Sequence, residues 1–385
     1  MLWDWRFDYM KTTLPVGYNN FHKNNLLNFQ LNRWYSSGIL EYDEVVDAAS
    51  QIESFKDFKN VFYKLGQIEK DKGDYLKAAT YIRGSEFFAL DNDTDKNELY
   101  RECMKLYITA YADEDINYEK IPYEKGFMPV MRLKTHPHRK GTVIVHGGYD
   151  SFMQELYPLV KLIRESGYDI ILFEGPGQGG TLYDHNIYMT HEWEKPVSTL
   201  IDYYQLEEVS LIGISLGGYL AARAAVFDKR IANVVLFDIV YDYYNAIFSK
   251  ASKLYGWLVK MALKSPKSII WSIFARKIDK NLFAKWLVLQ GYKVYGIDNL
   301  YDYYNTLKKY TTKEFSKDIT GNVLLMAGSD DIYTIFFEEQ KKALKNAHSV
   351  SGRIFTREEQ ASHHCQVGNL GLALNYIIEW LDSVH

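Results

Sequence analysis

Apolar residues recur at helical spacing through the first part of the chain. Tyr42, Val45, Val46, Ala49 and Ile52 form one stripe, and Phe58, Phe62 and Leu65 carry the next. Gly73-Asp74 marks a turn, after which Tyr75, Ala78, Ala79 and Ile82 start another helix. From about residue 116 the period changes. Ile121-Pro122-Tyr123 and Met128–Leu133 read as short strands around a turn at Lys125-Gly126. Apolar runs and amphipathic segments then alternate: strand 142–145, helix 155–165, strand 169–173, helix 193–204, strand 209–212, helix 216–227 and strand 231–240. Such alternation builds a parallel sheet wrapped by helices. It stops at residue 241, and a helical block rich in Tyr and Trp runs to about 318. Strands resume at 322–326 and near 353–355, with a helix through Ala343 between them and a last helix through Trp380.

The pattern predicts an α/β protein: a mostly parallel sheet flanked by helices, preceded by a helical domain over 1–115 and interrupted by a helical cap over 241–318 within the domain 116–385. An insertion at that point lies over the carboxyl ends of the strands, where open α/β sheets bind ligands. The pair of helices around Gly73 looks like one tetratricopeptide-type hairpin, but no period repeats, so no solenoid is expected.

With 385 residues, 47% of them hydrophobic, the chain can bury a sizeable core. A net charge of −4 supplies no field for nucleic acid. The two cysteines, Cys103 and Cys365, are too few and too distant for a disulfide framework or a metal site. The start, Met1-Leu2-Trp3-Asp4-Trp5-Arg6, lacks the basic-then-apolar order of a secretory leader, and no run reaches the roughly 18 apolar residues of a membrane span. A cytoplasmic protein without membrane or nucleic-acid partners is the expectation, with a homodimer through the aromatic cap left open.

The chemistry concentrates in Gly213-Ile214-Ser215-Leu216-Gly217-Gly218, a G-x-S-x-G sequence between a strand and a helix. A tight turn there exposes the serine hydroxyl at the top of the sheet, with a helix amino end beneath the developing charge. The serine needs a base, and in the order Ser, acid, His the base lies between the last strand and last helix, at His363 or His364 rather than His348 or His385. The acid follows the next-to-last strand, where Asp330 and Asp331 are adjacent. Asp331 is taken as the acid and Asp330 as a helix cap, with Asp238 as an outside candidate. An oxyanion hole is expected from the backbone N–H of Leu216 and from the loop His146-Gly147-Gly148-Tyr149, with Gly148 preferred to Tyr149 as the donor. Two other motifs are set aside. Gly175-Pro176-Gly177-Gln178-Gly179-Gly180 spells G-x-G-x-x-G, but residues 181–186 read as loop where a dinucleotide site needs a helix. His136-Pro137-His138 lacks the partners of a metal site and reads as a solvated turn. Neither a cofactor nor a metal is expected.

The segments Phe173–Gly179, Gly213–Gly218 and His364-Cys365-Gln366-Val367-Gly368 resemble those of α/β hydrolases of the 2,6-dihydroxypseudooxynicotine hydrolase group. They also resemble the acylaminoacyl-peptidase-like and dipeptidyl-aminopeptidase-like proteins related to it. Gly148, Asp150 and Glu155 extend the likeness, which covers most of the chain. The resemblance implies a helical region before the hydrolase core and a helical cap, and its His-Cys-Gln pattern selects His364 over His363. It implies hydrolysis of an ester, a short peptide or amide, or a carbon–carbon bond, since members are linked to all three. A β-propeller, usual in true peptidases of this kind, does not fit a helical segment of about 115 residues. A non-catalytic scaffold on the same fold is the rival expectation.

Overall fold

The computed structural model describes residues 14–90, 95–135, 139–249 and 253–385. Met1–Arg6 and His136-Pro137-His138, both read in the sequence above, lie outside the described residues. Eight strands form one sheet: β1 (Asn117–Tyr123), β2 (Gly126–Leu133), β3 (Gly141–His146), β4 (Tyr168–Phe173), β5 (Val209–Ile214), β6 (Ile231–Phe237), β7 (Asn322–Gly328) and β8 (Ser349–Phe355). Their order is β1-β2-β4-β3-β5-β6-β7-β8. Strands β1 and β2 are antiparallel to their neighbours, and the six strands β3 to β8 run parallel to one another. Every residue of β5 is buried, as in a parallel strand covered on both faces, and its one polar side chain, Ser210, is paired with His385 Nε2 at 2.8 Å.

Before the sheet lie the helices Asn25–Ser36, Tyr42–Ala49, Phe55–Lys72, Tyr75–Phe88 and Lys96–Ala110. The long third helix starts where Ser54 accepts the Asp57 N–H and stops at Gly73, whose φ of +83° the next helix needs for its reversal. Between β6 and β7 the block 241–318 carries the helices Tyr243–Phe248, Lys253–Ala262, Ile270–Ile278, Leu282–Tyr295 and Leu300–Leu307.

Three readings of the sequence need correction. Strand 231–240 ends at Phe237, and β8 begins at Ser349 rather than near 353. The segment read as a loop from residue 181 opens as a short helix, Gly179–Tyr183. The buried Glu174 carboxylate accepts the Gly180 N–H at 2.7 Å and the Met153 N–H at 3.0 Å, so it satisfies the start of that helix from outside it. Burial drives its pKa up to about 7. A cap supplied six residues upstream leaves no local helix-start signal.

Candidate active site

At the carboxyl end of β5 the chain turns sharply into the helix Gly217–Phe227. Ser215 sits on this turn at φ +63°, its N–H held by the Phe237 carbonyl at 2.6 Å. A non-glycine residue in that region is strained and persists only where its surroundings impose it. Here Gly218 does so from the helix side. A side chain on it would meet the Asp238 carbonyl oxygen at 1.9 Å, so only glycine lets the helix lie against the end of β6.

Ser215 Oγ is 2.8 Å from His364 Nε2, and His364 Nδ1 is 2.5 Å from Asp331 Oδ2. His364 comes from the turn His364–Gln366 after β8, and Asp331 from the loop after β7. The neighbouring candidates point elsewhere. Asp330 accepts from Nε and Nη2 of the Arg357 guanidinium, at 2.7 and 2.6 Å. His363 stacks on Tyr18 with ring centres 3.5 Å apart.

Asp238, at the end of β6, is a second carboxyl beside the same imidazole. Its Oδ2 lies 3.5 Å from His364 Nδ1 and accepts the Cys365 N–H at 2.9 Å, while Oδ1 accepts Gln366 Nε2 at 2.8 Å. Complete burial, reinforced by the Asp331 charge, lifts its pKa to about 7. Burial opposes ionisation of Asp331 too, but the adjacent His364 outweighs it and holds that carboxyl below its ordinary value. For His364 burial favours the neutral ring, yet the Asp331 charge prevails and raises its pKa well above the usual histidine value. Among the described residues Asp238, His364 and Cys365 bring potential metal-ligand atoms within 4.8 Å of one another. Both Asp238 oxygens already accept hydrogen bonds, which ties this cluster to the seating of His364.

The loop after β3 faces the turn. A side chain at Gly148 would come within 2.6 Å of the Leu216 nitrogen, so glycine keeps open the space in front of that N–H. Gln178 braces the loop from behind: its Nε2 donates to the Gly147 and Gly148 carbonyls at 2.9 Å each, and its Oε1 accepts the Gly175 N–H at 3.0 Å. The glycine-rich turn that mimics a dinucleotide motif is therefore filled by its own glutamine.

Two arginines of the helical region complete the surroundings, and the sequence reading missed both. Arg33 bonds Asp150 and Glu155 at 2.7 Å each. Arg83, 1% exposed, bonds Glu86 at 2.5 Å and Glu155 at 2.8 Å, and donates to the Asp150 carbonyl. Burial alone would raise the Asp150 pKa; Arg33 and Arg83 outweigh it and keep the carboxylate ionised. An arginine and a glutamate three apart inside the helix Tyr75–Phe88, whose residues from Ala78 on are all buried, was the available signal.

Ser215 opens into a cavity of about 960 Å³. Leu26, Phe29 and Trp34 of the helix Asn25–Ser36 line it, together with Tyr243, Trp286 and Leu287 of the block 241–318.

Sheet order, the sharp turn at Ser215 and the inserted block together are the α/β-hydrolase fold. Residues 143–258 match the family model for the alpha/beta hydrolase fold. The chain is 25% identical to the hydrolyase poxO of Penicillium oxalicum, over 95% of this chain and 98% of that protein. It is 28% identical to the 20-hydroxy-prefusarin hydrolase FUS2 of Gibberella moniliformis, over 80% of each. Among solved structures it resembles 2,6-dihydroxy-pseudo-oxynicotine hydrolase, with a TM-score of 0.63 at 18% identity, covering 94% of this chain and 95% of that one. Among the described residues no helix is long and apolar enough to cross a membrane.

Proposed function

We propose that this chain is a serine hydrolase acting on a bulky, uncharged acyl substrate. The observation that carries the reading is the continuous relay from Ser215 through His364 to Asp331, at 2.8 and 2.5 Å. In this mechanism His364 Nε2 takes the Ser215 proton as Oγ attacks the carbonyl carbon. The oxyanion forms against the N–H groups of Leu216 and Gly148, with Tyr149 adjacent. The tetrahedral intermediate collapses as His364 passes its proton to the leaving group, and water releases the acyl group by the same steps. Asp331 orients the imidazole and stabilises its cation.

The cavity supports the substrate class. Its volume suits a ligand far larger than an acetyl group, and its walls are mainly apolar and aromatic. The carboxylates that line it are already engaged: Asp150 and Glu155 by Arg33, Asp330 by Arg357, Asp331 by His364. A peptide with a free amino terminus would find no spare carboxylate for its ammonium there among the described residues. An ester or an N-acylated amide fits better. A β-diketone is the second reading, since the same relay cleaves a carbon–carbon bond whose leaving carbanion is stabilised.

A fluorophosphonate probe should label Ser215, and Ser215→Ala should abolish labelling and cut ester turnover about 10⁴-fold without unfolding the protein. Labelling that survives in Ser215→Ala, or a parent protein that takes no label, overturns the assignment. Parallel assays on acyl esters, N-acylated anilides and β-diketones separate the two readings.

A further inference from the structure

The block 241–318 has an outer face that the hydrolytic reading does not use. On the helix Lys253–Ala262, Leu254, Trp257 and Met261 share a stripe and are 64%, 55% and 37% exposed. Its inner residues Val259 and Ala262 are buried. Across the turn, Ile269 and Ile273 at the start of the helix Ile270–Ile278 are 78% and 51% exposed, while Trp271 and Phe274 pack inward. Apolar side chains exposed in such a group mark an interaction surface.

Cations surround this face. Lys260, Lys264, Lys267, Arg276, Lys277 and Lys280 fall within it or at its edge, and in a chain of net charge −4 the stretch 254–285 contains one acid, Asp279. That acid faces Lys285 at 3.4 Å. None of the six cations has a carboxylate within salt-bridge distance among the described residues. Lys260 also lies close enough to Lys308 for their charges to repel.

We propose that this helix pair docks on an anionic lipid bilayer, with Leu254, Trp257, Met261, Ile269 and Ile273 in the headgroup–acyl boundary and the cations on lipid phosphates and carboxylates. An apolar stripe edged by lysines is the pattern of an interfacial helix, and it needs no spanning segment. A second copy of this chain is the poorer partner, because it would bring the same cations face to face. Nucleic acid would satisfy the cations and leave the aliphatic stripe wet. Position favours lipid as well. Lys280, Asn281, Leu282 and Phe283, which directly follow the second helix, line the large cavity. A docked molecule therefore holds this wall of the cavity next to the bilayer.

The test is flotation of the full chain with phosphatidylcholine vesicles, with and without phosphatidylserine. Binding is expected only with phosphatidylserine, and high salt should weaken it. The double variants Trp257→Ser with Ile273→Ser, and Lys260→Glu with Lys264→Glu, should each lower vesicle association at least about tenfold. Both should keep the parent melting temperature, since all four side chains lie outside the cavity. This readout does not depend on hydrolysis, so a failed serine assignment and a failed docking surface are told apart. Equal binding to both vesicles, no binding to either, or variants that float like the parent overturn the proposal. So does a concentration-dependent dimer that Trp257→Ser with Ile273→Ser dissolves.

Discussion

Asp331 and Asp238 approach one imidazole from the ends of two strands, and their surroundings shift them in opposite directions. His364 favours the ionised form of Asp331, while burial lifts the pKa of Asp238 to about 7. A general base must be neutral to accept the serine proton, and Asp331 raises the pKa of His364 above its ordinary value. The sign follows: kcat/KM should fall as pH drops through a value above the ordinary histidine pKa of about 6.5. Asp331→Asn removes the stabilising charge, so the acid limb should move to lower pH and the plateau should drop about 10³-fold or more. Asp238→Asn should stay within about tenfold of the parent, because its oxygens chiefly hold Cys365 and Gln366. A pH–rate profile of the three proteins checks this, and a larger loss from Asp238→Asn than from Asp331→Asn would reverse the two roles. At this scale the turn around Ser215 was legible, because flanking glycines between an apolar run and a helical stripe leave few alternatives. Between the paired residues the sequence itself was mute. Arg357 draws Asp330 away and Tyr18 stacks on His363, and both of those partners come from separate segments.

Individual elements follow their own periodicity, but the contacts between elements do not. Buried strands β3 to β7 were readable as apolar runs with helical stripes between them. The short helix at Gly179 was not, since its support is a carboxylate from β4's end rather than a local cap. The turn just before it explains why its glycines and glutamine stand together: Gln178 ties that turn to the loop that packs against the Leu216 nitrogen. Gln178→Leu keeps the volume and removes two donors and one acceptor. It should lower kcat about 10- to 100-fold with KM little changed, because a loosened oxyanion loop matters only once negative charge develops. Stability should fall by about 1–3 kcal/mol from the unpaired buried groups. Steady-state kinetics beside a melting curve decide the matter: a lower melting temperature with kcat intact would make Gln178 a brace for the fold alone.

For the whole molecule, two separate stretches of helix line the large cavity rather than one. The sequence suggested a cap from 241–318, and nothing in the first helical stripes pointed at the site. Phe29, however, lines the cavity from the helix Asn25–Ser36, as Trp286 and Leu287 do from the block 241–318. Phe29→Trp should therefore shorten the preferred acyl chain while leaving turnover of an acetyl ester within about twofold, since the added volume lies away from the reacting carbonyl. A chain-length series of p-nitrophenyl esters tests it, and an unchanged optimum would remove the first helix from the specificity wall. The arginines beside that wall carry a further consequence for anyone recombining such proteins. Arg33 and Arg83 belong to the helical region, whereas Asp150 and Glu155 belong to the core; Arg83 has Glu86 within its own helix, but the two core carboxylates take their cations from the helical region. Exchange of the leading segment for one lacking both arginines would strand two carboxylates at the loop after β3, at a cost of about 3–5 kcal/mol for each broken pair. A viable crossover must pass these four residues on as one heritable set, and the break between donor and recipient cannot be chosen at the start of the first strand by sequence alignment alone.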